Sequence, residues 1–238
     1  MTIPILMYHQ IDGPPPRGTS LRGLIVSPES FARQMWLLRL LGYRGLSMRE
    51  LEPYLLGQKQ GKVVGLTFDD GYQNNLTHAL PVLKRHGFTA TCYGVSRMIG
   101  GTNLWDQGLV AEKPLMTLSD WRTWHESGMD VGSHTCTHAD LTAIDDTQAQ
   151  EQITRSKYEL EQAIGCEVRH FCYPYGRFTE RHSQMVSAAG YQTATTTQRG
   201  RVVPGGDLMR LKRVLVARAT LSLQFLLKIA TAYEDRRG

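Results

Sequence analysis

Apolar residues along this chain fall into two alternating registers. Short runs, such as Ile3 to Tyr8 and Val63 to Phe68, have the length of strands covered on both faces, and Val168 to Tyr173 reads as a further strand. Between them lie longer stretches whose apolar positions recur three and four residues apart, the spacing of one helix face. "SPESFARQMWLLRLLGY" predicts a helix with Ser27 as its N-cap, Pro28 at the first position and Gly42 at its end. Tyr43 to Leu46 then reads as a strand, and Ser47-Met-Arg-Glu50 has the form of a capping box opening a short helix. After Val63–Phe68 a helical stretch ends near His86-Gly87, and Thr89 to Val95 is rich in strand formers. Ser119 to Gly128 predicts a helix and Met129 to Ser133 a strand, followed by the longest helix, Asp146 to Gly165. Beyond Val168–Tyr173 come a helix over Thr179–Gly190, a β-prone Tyr191–Thr196, a last strand over Arg213–Ala217 and a closing amphipathic helix, Leu221–Tyr233. The apolar positions of that helix (Leu221, Leu223, Phe225, Leu226, Leu227, Ile229) are expected to pack on the body of the protein rather than on a membrane.

Repeated β–α units with no linker, internal repeat or low-complexity segment predict one parallel α/β domain over residues 1–238. The number of units favours a barrel over an open sheet, although periodicity alone does not decide closure.

Composition adds bounds to this picture. With 41% hydrophobic and 21% charged residues, the chain has material for an ordinary core. Its 27 Lys and Arg against 22 Asp and Glu leave a scattered excess of +5, which argues against a nucleic-acid partner and leaves anionic substrates or lipid headgroups open. Cys92, Cys136, Cys166 and Cys172 form no paired motif and read as reduced thiols. No apolar run approaches the roughly 18 residues needed to span a bilayer. The amino terminus lacks the features of a secretory signal, so the expectation is a cytoplasmic protein, provided Met1 is the native start. Contact with the inner membrane face stays open, and so does the oligomeric state.

The chemistry collects where strands end. His9 follows the first run, Asp69 and Asp70 follow Val63–Phe68, His134 and His138 follow the strand ending at Ser133, and Pro174-Tyr175-Gly176 follow Val168–Tyr173. In a parallel barrel all strand C-termini open on one face, so these distant segments would converge. Two histidines four residues apart plus one aspartate make a three-ligand set with a position left for water. The second aspartate is then free to act as a base, since a divalent ion brings the pKa of water to about 7. A cation also explains how two adjacent carboxylates coexist in one cavity.

"TFDDG" (Thr67–Gly71), "SHTCTH" (Ser133–His138) and "YPYG" (Tyr173–Gly176), in this order, resemble the polysaccharide deacetylases, the NodB-homology proteins of carbohydrate esterase family four. "ILMYHQI", "ALPVLKRHGFTAT" and "LKRVLV" resemble the framework of the same family, and the resemblance covers nearly the whole chain. It implies a distorted (β/α)7-type barrel and a metal-dependent hydrolase, most commonly of zinc, with cobalt, nickel or iron as substitutes, that releases acetate from N-acetylated amino sugars. It implies Asp69 as the catalytic base, Asp70, His134 and His138 as metal ligands, and the Tyr175 N–H as an oxyanion donor. Two features depart from the widespread pattern. The arginine expected two residues before the proline is Cys172, and no histidine follows His182 to serve as the late general acid. Both departures resemble the poly-N-acetylglucosamine deacetylases, whose amino termini carry a similar "MYH". His9 is therefore the candidate general acid, with a structural histidine as the alternative, and Arg213 the candidate replacement for the missing arginine. Among Trp105, Trp121 and Trp124, only Trp105 is a candidate for stacking on a sugar; tryptophans at helical spacing are usually core. The rivals are hydrolysis of a non-sugar amide on the same barrel and a glycan-binding protein without turnover.

Overall fold

Seven parallel strands close into a ring in the computed structural model, which describes residues 2–237. In chain order the elements are β1 (Ile5–Tyr8), β2 (Gln10–Ile11), β3 (Ile25–Val26), α1 (Pro28–Leu40), β4 (Arg44–Leu46), α2 (Met48–Leu55) and β5 (Val63–Phe68). They continue with α3 (Leu80–His86), β6 (Thr91–Gly94), α4 (Leu118–Glu126), β7 (Asp130–Ser133), α5 (Asp146–Ile164) and β8 (His170–Cys172). The chain ends with α6 (Glu180–Ala188), β9 (Thr193–Arg199), β10 (Leu211–Leu215) and α7 (Ser222–Ala230). The ring runs β1-β10-β9-β8-β7-β6-β5 and returns to β1 through the pairs Ile5–Gly65 to Tyr8–Phe68. The distortion lies at β5. Its residues Val63 to Gly65 pair with β4, whereas Thr67 and Phe68 pair with β6 on the same edge. This is the distorted (β/α)7 barrel expected from the sequence.

The helices begin and end where side-chain chemistry dictates. The Ser27 hydroxyl accepts from the Ser30 N–H, and Pro28 occupies the first turn, where no N–H is missed. Asp145 and Gln148 form a full capping box at α5, and Gly165 ends that helix in the left-handed region at φ 80°. The box expected at α2 closes by half. Ser47 accepts from the Glu50 N–H, but its own N–H donates to the Thr89 hydroxyl at 2.9 Å, and that hydroxyl also engages Glu50. A tertiary partner thus takes the place of a local one.

Other boundaries move for similar reasons. β9 runs on to Arg199, and β10 starts at Leu211 rather than Arg213, because the two strands pair through an irregularity: Leu211 faces Thr195 and Arg213 faces Arg199. The two-stranded β2–β3 pair has no counterpart in the sequence pattern, being only two residues long in each strand. The last helix packs through Phe225 and Ile229, while Leu221 and Leu223 face outward at 74% and 70% exposure. Trp121 and Trp124 are core residues, and Trp121 lies against Gly71 and Gly94, where a Cβ would come within 2.8 Å of its ring. No helix among the described residues is long and apolar enough to cross a membrane.

Candidate active site

The C-terminal ends of β1, β5, β7 and β8, with Arg213 from within β10, bring together His9, Asp69, Asp70, His134, His138 and Tyr175. β5 delivers Asp69 and Asp70, which are 2% and 6% exposed. Two neighbouring carboxylates cannot share one extended backbone direction, and Asp70 resolves this by adopting φ 75°. Thr135 (φ 68°), His138 (φ 60°) and Tyr175 (φ 58°) are likewise left-handed, so four of the five non-glycine residues with positive φ among the described residues surround this one site. Such conformations cost of order 1–3 kcal/mol each and persist only where the surroundings impose them.

The two aspartates face different partners. Asp69 is gripped by Arg213: Nη1 donates to Oδ1 and Nη2 to Oδ2, each at 2.7 Å. Arg213 is itself 1% exposed, and its remaining donors reach the Thr196 carbonyl (2.8 Å), the Thr67 hydroxyl (3.1 Å) and the Cys172 sulfur (3.2 Å). Burial alone would raise the Asp69 pKa, but the charge and hydrogen bonds of Arg213 hold the carboxyl below its usual range. A small residue at position 172 leaves room for a guanidinium that arrives from β10 across the barrel interior.

Asp70 faces the histidines instead. Its Oδ1 lies 3.5 Å from His134 Nε2 and 3.4 Å from His138 Nε2, and the ligand-type atoms of the three side chains all lie within 4.8 Å of one another. His134 Nδ1 lies 2.7 Å from the Cys172 carbonyl, an acceptor only, so this nitrogen carries the proton. In the neutral ring the Nε2 lone pair therefore points at a carboxylate, an arrangement that repels unless a cation lies between them. His138 is buried by the Trp105 ring stacked on it at 4.6 Å and by the edges of His134 and Tyr175. The donor chemistry and burial of these three residues fit a divalent cation. A second cluster, Asp69, His134 and Cys172, is also compact, but Arg213 already occupies its carboxylate and touches its sulfur. Cys136 turns away from the site, its thiol donating to the Gln152 carbonyl at 3.6 Å.

His9 completes the mouth, its Nε2 lying 3.9 Å from Asp69 Oδ2. The Asn75 amide donates to the His9 carbonyl at 2.8 Å and so ties this segment to the aspartate loop. The Pro174–Gly176 turn stands opposite, with Tyr175 46% exposed at the rim and its carbonyl accepting from the Thr197 hydroxyl at 3.3 Å. Gly176 is at φ 69°, and a Cβ there would lie 1.9 Å from Thr197 Oγ1. Gly176→Ala should therefore destabilise the fold by about 2–4 kcal/mol. A urea-unfolding midpoint close to wild type would contradict this.

Three contributors escaped the sequence reading: Asn75, the Cys172 carbonyl and Asp106, which lines a cavity together with Asp70 and His9. Asn75 lies five residues after Asp70, but an asparagine there carries no specific signal. A main-chain acceptor and a single acidic residue in the Leu104–Asp106 turn have no pattern to betray them.

A sequence profile described as polysaccharide deacetylase matches residues 57–194. The Bacillus subtilis (strain 168) protein YxkH, which bears a polysaccharide deacetylase name, is 31% identical over 217 residues, 90% of this chain and 71% of its own length. The poly-beta-1,6-N-acetyl-D-glucosamine N-deacetylase of Staphylococcus epidermidis is 27% identical over 209 residues, 83% of this chain and 70% of its own. Among solved structures, the Streptococcus pyogenes deacetylase PplD in complex with acetate superposes with a TM-score of 0.84 at 27% identity, covering 96% of this chain and 98% of its own.

Proposed function

The chain belongs to the polysaccharide deacetylase family, and we propose that it is a divalent-cation-dependent hydrolase that removes acetyl groups from N-acetylated amino sugars of a glycan. The single observation that carries this reading is the division of labour between adjacent carboxylates: Asp69 on Arg213, Asp70 on two histidine nitrogens. A similar glycan deacetylase in Staphylococcus epidermidis supports the substrate class.

Asp70, His134 and His138 would hold the cation, with zinc the first choice for a carboxylate and two imidazoles. Bound there, it supplies Lewis acidity, which polarises a carbonyl and makes water a stronger acid. Asp69 stays ionised because Arg213 compensates its charge, so it is available to take a proton from the attacking water. Arg213 holds both carboxylate oxygens and thereby fixes the direction of that transfer. The Tyr175 N–H of the 174–176 turn would donate to the negative charge that develops on the acetamide oxygen. His9, 17% exposed and near Asp69, protonates the departing amine as the C–N bond breaks.

The test is acetate release from N-acetylglucosamine oligomers by zinc-loaded and chelator-stripped protein. Release that requires the cation supports the reading. Failure on every amino-sugar oligomer, with cation binding demonstrated, would end it in favour of a non-sugar amide or of binding without turnover. His134→Ala should weaken zinc binding by at least about 100-fold, read by calorimetric titration. Affinity unchanged in this variant would remove the three-residue ligand set. His9→Gln should lower turnover by about 100-fold with zinc affinity retained. A merely structural role for His9 predicts instead a loss of thermal stability with turnover per folded molecule preserved.

A further inference from the structure

A cavity beside Asp70 and His9 is also lined by Gln10, Tyr72, Asp106 and Lys113. Asp106 ends the turn Leu104–Asp106, whose Trp105 stacks on His138, so the turn is anchored directly to the ligand set. The residue is 8% exposed, yet it lines this cavity. Its Oδ2 accepts only a long 3.4 Å bond from the Asn103 amide, and among the described residues no cation pairs with it. The lysine of the same cavity, Lys113, is engaged at 3.0 Å by Asp12. Burial pushes the Asp106 carboxyl up, with the charge of Asp70 adding to the effect and the Asn103 hydrogen bond opposing it.

A buried carboxylate without a counter-charge is costly unless a ligand supplies one. A sugar hydroxyl would satisfy a lone pair but leave the charge uncompensated. Removal of an acetyl group from a polymer leaves a primary ammonium on the sugar, so the reaction itself creates cations along its substrate.

We propose that Asp106 binds the ammonium of a glucosamine residue adjacent to the N-acetyl group being cleaved, so that the enzyme acts preferentially on partly de-N-acetylated chains. This rests on the deacetylase reading above, and it makes each product residue a recognition element for the next cleavage.

The test compares three N-acetylglucosamine tetramers in which one neighbouring sugar is N-acetylglucosamine, glucosamine or glucose. Wild-type kcat/KM should be about tenfold higher for the glucosamine-bearing tetramer than for the other two, the weight of one partly desolvated charge pair. Asp106→Asn, nearly isosteric, and Asp106→Ser should each collapse that ratio to about one. Equal preference for glucose and glucosamine would show hydrogen bonding without charge recognition and overturn the proposal, as would a ratio unchanged in both variants. The second readout is calorimetric binding of the fully deacetylated glucosamine tetramer below the amine pKa, expected to weaken about tenfold in both variants. If no tetramer is hydrolysed but this binding is Asp106-dependent, the deacetylase reading fails and the ammonium site stands. If turnover occurs but binding and preference ignore Asp106, the ammonium site fails alone.

Discussion

Asp69→Asn should lower acetate release by about 1000-fold while the protein still binds zinc through Asp70, His134 and His138. The amide cannot take a proton, but it retains the size and one oxygen of the carboxylate. The comparison to make is single-turnover acetate release beside calorimetric zinc titration. Activity within tenfold of wild type would exclude Asp69 as the base. Joint loss of activity and zinc binding would instead make Asp69 part of the ligand set. The second cluster found around Asp69, His134 and Cys172 makes that a real alternative to test. The engaged state of Asp69, with both its oxygens on Arg213, argues for loss of activity with zinc binding kept.

Arg213→Met should have the largest effect on stability. Removing one partner from a buried pair leaves the other charge uncompensated, at a cost of about 3–5 kcal/mol. The sign with pH follows from the direction of the Asp69 shift. Its pKa is depressed in the folded protein, so its contribution to stability is present above the unfolded carboxylate pKa of about 4 and is lost as pH falls through the folded value. In the variant that contribution is absent at neutral pH, and protonation of a buried, unpaired Asp69 relieves strain instead. The stability gap between wild type and Arg213→Met should therefore narrow towards acid, as measured by urea unfolding at neutral and acidic pH. A gap that widens in acid would refute the pairing as the cause. The double variant Asp69→Asn/Arg213→Met should recover part of the stability lost in Arg213→Met, because neither charge is then left buried alone.

How much of this was legible without coordinates differs by element. Val63–Phe68 could be bounded to the residue because a mostly apolar run ends in two carboxylates, and the strand is buried along its whole length. The ends of α1 and α5 were equally clear, since Ser27, Gly42 and Gly165 act on backbone groups a few residues away. The Ser47 box failed by half because Thr89, distant in sequence, competes for the same N–H. β9 and β10 shifted because pairing through an irregularity depends on both strands at once.

The same division runs through the site. Asp69, Asp70, His134 and His138 were readable as a constellation, because a cation site demands particular atoms and each lies just after a strand. Arg213 was a conjecture at that stage, since nothing in a linear pattern says that a β10 side chain crosses the barrel to a β5 carboxylate. Asp106 was invisible, one acidic residue in a loop among others. Strand and helix periods, the caps at Ser27 and Asp145 and the ligand chemistry are properties of neighbouring residues and follow from the order of the amino acids. Closure of the ring, the grip of Arg213 on Asp69, the His134 bond to the Cys172 carbonyl and the isolation of Asp106 were decided by the tertiary structure alone. Each depends on which distant side chain reaches a buried charge first once water has been excluded.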